Sequence, residues 1–170
     1  CEPRVPASFL VVSDAQSTAD GDPASLTYDQ NRRWTADVGS PEARWIWDTA
    51  IEPSPRETRT VTIERRFYIE DDVTIDHGRL EIAGDNTYQC TVNEALWFES
   101  LIEQSYFDEN RLTIDLTSAL QNGENVLRCD VTNLALARSN GFTNPGGLIF
   151  ALFIDQSAHE MLAKLVIRHR

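Results

Sequence analysis

The sequence predicts an all-β protein, an antiparallel β-sandwich, and three observations carry that expectation. Apolar and polar residues alternate with period two along run after run, most clearly from Thr58 to Ile69. Gly, Pro, Asn and Asp clusters punctuate those runs at short intervals. Helical spacing is almost absent, so the elements have to pack as sheet on sheet.

The elements follow in order. Residues 1–8 form an extended lead-in, because Pro3 and Pro6 block helix. Residues 9–170 are expected to make one domain. Phe9–Val12 ("FLVV") is a short apolar strand. Ser13–Ser40 is polar and rich in Asp, Gly and Pro, hence a long loop with a turn near Pro23–Leu26. "ARWIWD" (43–48) is a strand that puts Trp45 and Trp47 on one face and Ile46 on the other. In Thr58–Ile69, Val61, Ile63, Phe67 and Ile69 share the inner face, and Arg65 interrupts it, which calls for a bend or a partner carboxylate. Glu70–Asp72 is a solvated turn. Further strands are expected at His77–Ala83, Thr87–Val92, Arg111–Leu116, Asn125–Asn133 and Gly147–Ile154. "QNGEN" (121–125) is a turn in which Asn122 and Gly123 supply positive φ angles. The tail "HEMLAKLVIRHR" fits either period and is assigned a final strand.

Bulk chemistry narrows the function. The 170 residues suffice for a real core, and 41% hydrophobic content excludes general disorder. The net charge of −12 makes nucleic acid a poor partner. No apolar run approaches the ~20 residues of a membrane helix. Lys164 is the sole lysine among 15 basic residues, a bias that fits an acidic surface adapted to high salt or a GC-rich gene. Cys1 at the head of the chain leaves two readings, a lipid-bearing cysteine of a lipoprotein or a boundary without meaning.

The order of the pieces resembles the galactose-binding-domain-like jelly-roll family. Its relatives include the sugar-binding modules attached to β-galactosidases and rhamnosidases, and related secreted surface proteins. The resemblance rests on Trp45–Trp47, Arg66–Phe67, "GDNTYQCTVNE" around Asp85–Asn93, "LQNGENVLRCDVTN" from Leu120 to Asn133, and "NPGGL" from Asn144 to Leu148. It covers residues 43–154. Glu94 departs from the family pattern, which has Gly after Asn93. The resemblance implies a jelly-roll fold and a mostly non-catalytic role; activity has to be argued from sites.

Individual residues carry two kinds of expectation. Asp85, Asn86, Asn93 and Asn144 are read as turn residues whose short side chains cap backbone N–H groups. Trp97, Phe98 and Tyr106 are candidate ligand contacts, gathered with Phe107 near the polar segment Glu99–Asn110. Trp34, beside Arg32 and Arg33, is a further loop candidate. Arg138 and Asn140, on the loop Leu134–Gly147, can grip hydroxyls or a carboxylate. Cys90 and Cys129 both point into the core and can bridge if their strands adjoin or face each other; otherwise each is a small hydrophobe. No metal ligand set is assigned. "DAQSTADGD" (14–22) offers three carboxylates without EF-hand spacing, which leaves a structural calcium as an open alternative.

The expected function is a non-catalytic extracellular or cell-surface module that binds a glycan or another surface component, lipid-anchored if Cys1 is modified. The alternative is a structural subunit self-assembling into a filament or surface layer, with the "FLVV" strand added to a neighbour's sheet. A glycan-active enzyme comes last, because hydrolase, metal and phosphate-loop motifs are absent from the sequence.

Overall fold

In the computed structural model, residues 7–27 and 34–158 are described. Cys1, the lead-in before Ala7 and the C-terminal tail lie outside them. Two antiparallel sheets face each other, as the alternation predicted. The first is built from β1 (Ala7–Val12), β4 (Ser25–Leu26), β5 (Ile46–Trp47), β7 (Val73–Asp85), β10 (Leu112–Asp115) and β12 (Gly147–Ala158). The second contains β2 (Thr18–Ala19), β3 (Asp22–Pro23), β6 (Arg59–Ile69), β8 (Thr87–Val92), β9 (Leu96–Ser100) and β11 (Gly123–Asn133). Strand order is β10-β7-β12-β5-β4 in the first, with β1 also on β12, and β3-β2-β6-β11-β8-β9 in the second.

The long strands follow directly from period two. Val61, Ile63, Phe67 and Ile69 of β6 and Leu127, Cys129 and Val131 of β11 are buried against Leu80, Ile82, Leu148, Phe150 and Leu152 of the opposite sheet. Arg65 keeps its place in the apolar row because Asp14 pairs with it at 3.1 Å and Gln16 accepts a hydrogen bond at 3.0 Å. The pairing of β11 with β6 runs through eleven positions, Gly123↔Ile69 to Asn133↔Arg59. On its other side Cys129 faces Cys90 of β8, and the two are joined by a disulfide.

Several expectations are corrected. The region Ser13–Ser40 is not all loop: Asp20 (φ 51°) and Gly21 (φ 90°) turn β2 into β3, the Asp-Gly hairpin signal. Of the Asn122–Gly123 pair only Gly123 takes a positive φ (87°), and β11 already starts there. The segment after Asn93 is a strand, β9, rather than an exposed aromatic loop. β1 starts at Ala7 and pairs with β12 of its own chain, Ala7↔Gln156 to Val12↔Ala151, so the strand imagined as a donor to a neighbour completes its own sheet.

The first sheet is covered on its outer side as well. Ala36, Val38 and Ala43 lie over Ala83, Ile149 and Ala151, forming a smaller apolar cluster. This overlay brings residues 34–45 to the end of the sandwich where β7 meets β8.

Candidate functional site

That end is organised around the Asp85–Asn86 corner. Asn86 is tied in three directions: its N–H donates to the Thr132 carbonyl, its Nδ2 to the Glu103 carbonyl, and its Oδ1 accepts from the Leu134 N–H at 2.7 Å. The buried Asp85 carboxylate accepts the Trp34 indole N–H at 2.7 Å. Ser105, fully buried, lies within hydrogen-bond reach of the Gly84 and Asn86 carbonyls and holds the 101–110 segment to the corner. Asx side chains here replace backbone partners that the bend removes.

The aromatic floor explains the "NPGGL" glycines. Trp34 stacks on Trp45 with ring centroids 4.3 Å apart. A Cβ on Gly147 would sit 3.0 Å from Trp34 and 3.1 Å from Trp45, and one on Gly146 would sit 2.5 Å from Trp47. Two adjacent residues without side chains therefore let three indoles close over the start of β12. Trp47 is fully buried, and its indole N–H donates to Glu52 at 2.9 Å. Arg59 bridges Glu52, at 2.8 Å, and Asp48. Asn144 fastens the long loop by donating to the Pro55 and Leu134 carbonyls, both at 2.9 Å.

Above this floor is a cavity of about 190 Å³. Trp34, Asp85 and Asn86 form its base, Glu103 and Tyr106 one wall, and residues 134–136 and 143–145 the other. Tyr106 is half-buried, and its carbonyl accepts from the Thr35 and Ala36 N–H groups at 3.1 Å. Its ring packs on Phe107 with centroids 4.7 Å apart. The lining mixes an aromatic ring, amide and hydroxyl groups and carboxylates, a composition that suits a hydroxyl-rich ligand.

The predicted site residues do not all converge. Tyr106 lines the cavity, and the two candidate loops do meet there. Arg138 is exposed at a loop tip with φ 62°, and Asn140 makes an Asx turn by accepting from the Phe142 and Thr143 N–H groups; neither lines the cavity. Trp97 is 57% exposed but sits on the outer face of β9. Phe98 is a correction: strand alternation turns it inward, where it is 8% exposed and part of the main core. Asn93 behaves as a turn residue, with φ 52°, donating to the Ala119 carbonyl and Asn125 and accepting the Val126 N–H, all at 2.8 Å. Glu103 and Thr143 also line the cavity, and nothing in their local sequence pattern distinguishes them from solvated polar residues.

The acidic 14–22 segment does not gather its carboxylates. Asp14 serves Arg65 and the Gln16 N–H, while Asp20 accepts the Thr62 N–H at 2.8 Å. Among the described residues there is no group of three or more metal-ligating side chains, and no helix is long and apolar enough to cross a membrane.

Fold and corner together define a two-sheet antiparallel sandwich of the jelly-roll kind. No protein-family model matches the chain, and no curated relative does. Solved structures do. An α-L-rhamnosidase from Streptomyces avermitilis, solved with L-rhamnose, matches with 24% identity over 82% of this chain and a TM-score of 0.53. An FMN-binding β-glucuronidase from Faecalibacterium prausnitzii matches at 17% identity over 88% (TM-score 0.47), and a Bifidobacterium dentium β-glucuronidase at 14% over 91% (TM-score 0.44). This chain spans only 12%, 23% and 30% of those three proteins. The rhamnosidase likeness supports the fold.

Proposed function

We propose that this protein is a non-catalytic carbohydrate-binding module that receives a single sugar ring in the rim cavity. The observation that carries the reading is the cavity itself, an aromatic wall at Tyr106 facing polar loop groups over a floor of locked indoles. A pyranose presents a C–H face for the phenol ring and hydroxyls for Asn, Thr and Glu groups. At 190 Å³ the cavity is smaller than the ~300–1,000 Å³ of drug-sized sites, so it suits a chain end rather than a chain interior. About a dozen heavy atoms at ~0.3 kcal/mol each give roughly −4 kcal/mol, a millimolar affinity. Avidity through repeated attachment would be needed for tight adhesion.

A purely binding role is favoured because the buried carboxylate of the corner already accepts the Trp34 N–H and anchors the fold. The fold neighbours are glycosidases, of which this chain matches a small part, which supports an accessory role. A surface location would suit such a module. The filament reading loses its main support once β1 is paired at home.

The test is a glycan array followed by calorimetry on the hits, rhamnose- and glucuronate-terminated glycans included. Wild type is expected to bind at least one terminal sugar, and Tyr106→Ala to weaken it about tenfold while remaining folded. Absence of binding across the array, or hydrolysis of an aryl glycoside that Glu103→Gln abolishes, would overturn the reading.

A further inference from the structure

The outer face of the second sheet carries a row of five residues in continuous register. Thr18 of β2 lies opposite Glu64 of β6, Glu64 opposite Arg128 of β11, Arg128 opposite Thr91 of β8, and Thr91 opposite Trp97 of β9. At ~4.8 Å per strand the row is about 19 Å long. All five point away from the core, because their neighbours in sequence point into it.

Most polar side chains of this face hold one another. Thr62 donates to Asp130 at 2.6 Å, Arg66 pairs with Glu64 and Glu124 at 2.8 Å, and Gln89 donates to Glu99 at 3.2 Å. Arg128 differs: among the described residues no hydrogen bond or ion pair engages its guanidinium. A lone exposed Arg is ordinary. Here, however, two concavities of about 460 and 340 Å³ meet at it, both lined by Glu64 and Arg128. The sheet is thus grooved on each side of this fork, and Trp97, which lines neither hollow, stands one strand beyond Thr91 at the sheet edge.

We propose that this groove is a second carbohydrate site, separate from the rim cavity, for an uncharged oligosaccharide lying across the strands. Trp97, 57% exposed, offers an indole face for one ring at the sheet edge. Arg128 donates its planar fork to hydroxyl oxygens about two strand spacings, ~10 Å, further on. Glu64 and Thr91 accept from hydroxyl hydrogens beside it. An anionic chain is disfavoured: Glu64, Glu124, Asp130 and Glu99 outnumber Arg66 and Arg128 on this face, and the whole chain carries −12. A protein partner is also a poor fit, since protein hot spots want an apolar, desolvated centre, and here charge occupies the centre while the exposed aromatics, Trp97 at the sheet edge and Tyr68 near the end of β6, stand apart from it.

The experiment is calorimetric titration with neutral glucan, xylan, mannan and galactan hexasaccharides, and with an oligogalacturonate of equal length. One neutral hexasaccharide is expected to bind. Trp97→Ala and Arg128→Met should each weaken it at least tenfold, whereas Tyr106→Ala at the rim leaves it within twofold. Circular dichroism confirms folding, and with two exposed targets one failed variant leaves the other decisive. The proposal is overturned if no neutral hexasaccharide binds, if the acid oligomer binds better, or if both variants bind like wild type. Loss of binding in Tyr106→Ala alone would place the ligand at the rim and overturn the second site while sparing the rim reading.

Discussion

Reducing the Cys90–Cys129 disulfide should destabilise the protein by an amount set by the length of chain it closes. The two cysteines are 39 residues apart in sequence and directly opposite in register on neighbouring strands of the second sheet. In the chain-entropy treatment a closure of that length removes about 13 cal/mol/K from the unfolded ensemble, or about 4 kcal/mol at 25 °C. Measured losses run to about 2–4 kcal/mol, because unfolded-state structure offsets part of the entropy. With an m-value of roughly 2 kcal/mol/M in urea for a chain of this size, the midpoint falls by about 1–2 M. The assay is urea unfolding followed by tryptophan fluorescence, with and without reductant, and mass spectrometry of alkylated thiols in denaturant. The expected result is no alkylation of Cys90 or Cys129 before reduction and a shifted midpoint after it. Free thiols in the unreduced protein, or an unchanged midpoint once both thiols are shown to be free, would refute the reasoning and with it the alignment of β8 on β11.

Three further outcomes follow from local geometry. Glu94 occupies the left-handed region at φ 56°, which costs an L-residue about 1–2 kcal/mol; after glycine's own entropic cost, Glu94→Gly should stabilise by roughly 0.5–1 kcal/mol, a Tm rise of about 1–4 °C by calorimetry. Gly146→Ala should destabilise by about 1–3 kcal/mol or more in urea titration, because its Cβ would lie 2.5 Å from the fully buried Trp47 ring. Burial pushes the Tyr88 phenol well above its ordinary 10.0, against a smaller downward pull from Ser100. Because the folded pKa is raised, its contribution to stability is intact below pH 10 and is lost as pH rises above it, so ultraviolet titration should show Tyr88 ionising only as the protein unfolds.

The sandwich was legible because its long strands obey a simple rule: from Val61 in β6 and Asn125 in β11 every second residue is buried, and the alternation alone assigns faces. The Asx corners were legible as bends from their residue types, but the partners of Asn86 and Asn93 lie 17 to 48 residues away and come from the fold. Phe98 was misplaced because β9 follows a turn whose two left-handed residues end in Glu rather than Gly, which hid the hairpin. The rim cavity could not be read from sequence. Its base and walls bring together Trp34, Tyr106 and the 134–145 loop through hydrogen bonds between residues far apart in sequence, Trp34 to Asp85 across 51 positions and Asn86 to Leu134 across 48. Arg65 shows the middle case: alternation predicted a partner carboxylate, and only the fold could say that it is Asp14.

The account turns on where a sugar touches the molecule. Amide chemical-shift mapping during titration with the terminal sugar identified on the array measures this directly. The account predicts that with this terminal sugar the largest shifts fall on residues 103–107, 134–136 and 143–145, and that Glu64, Thr91, Trp97 and Arg128, the face assigned to a longer oligosaccharide, move less. Largest shifts at positions away from that rim, or none at millimolar sugar from a ligand the array had scored as bound, would contradict it.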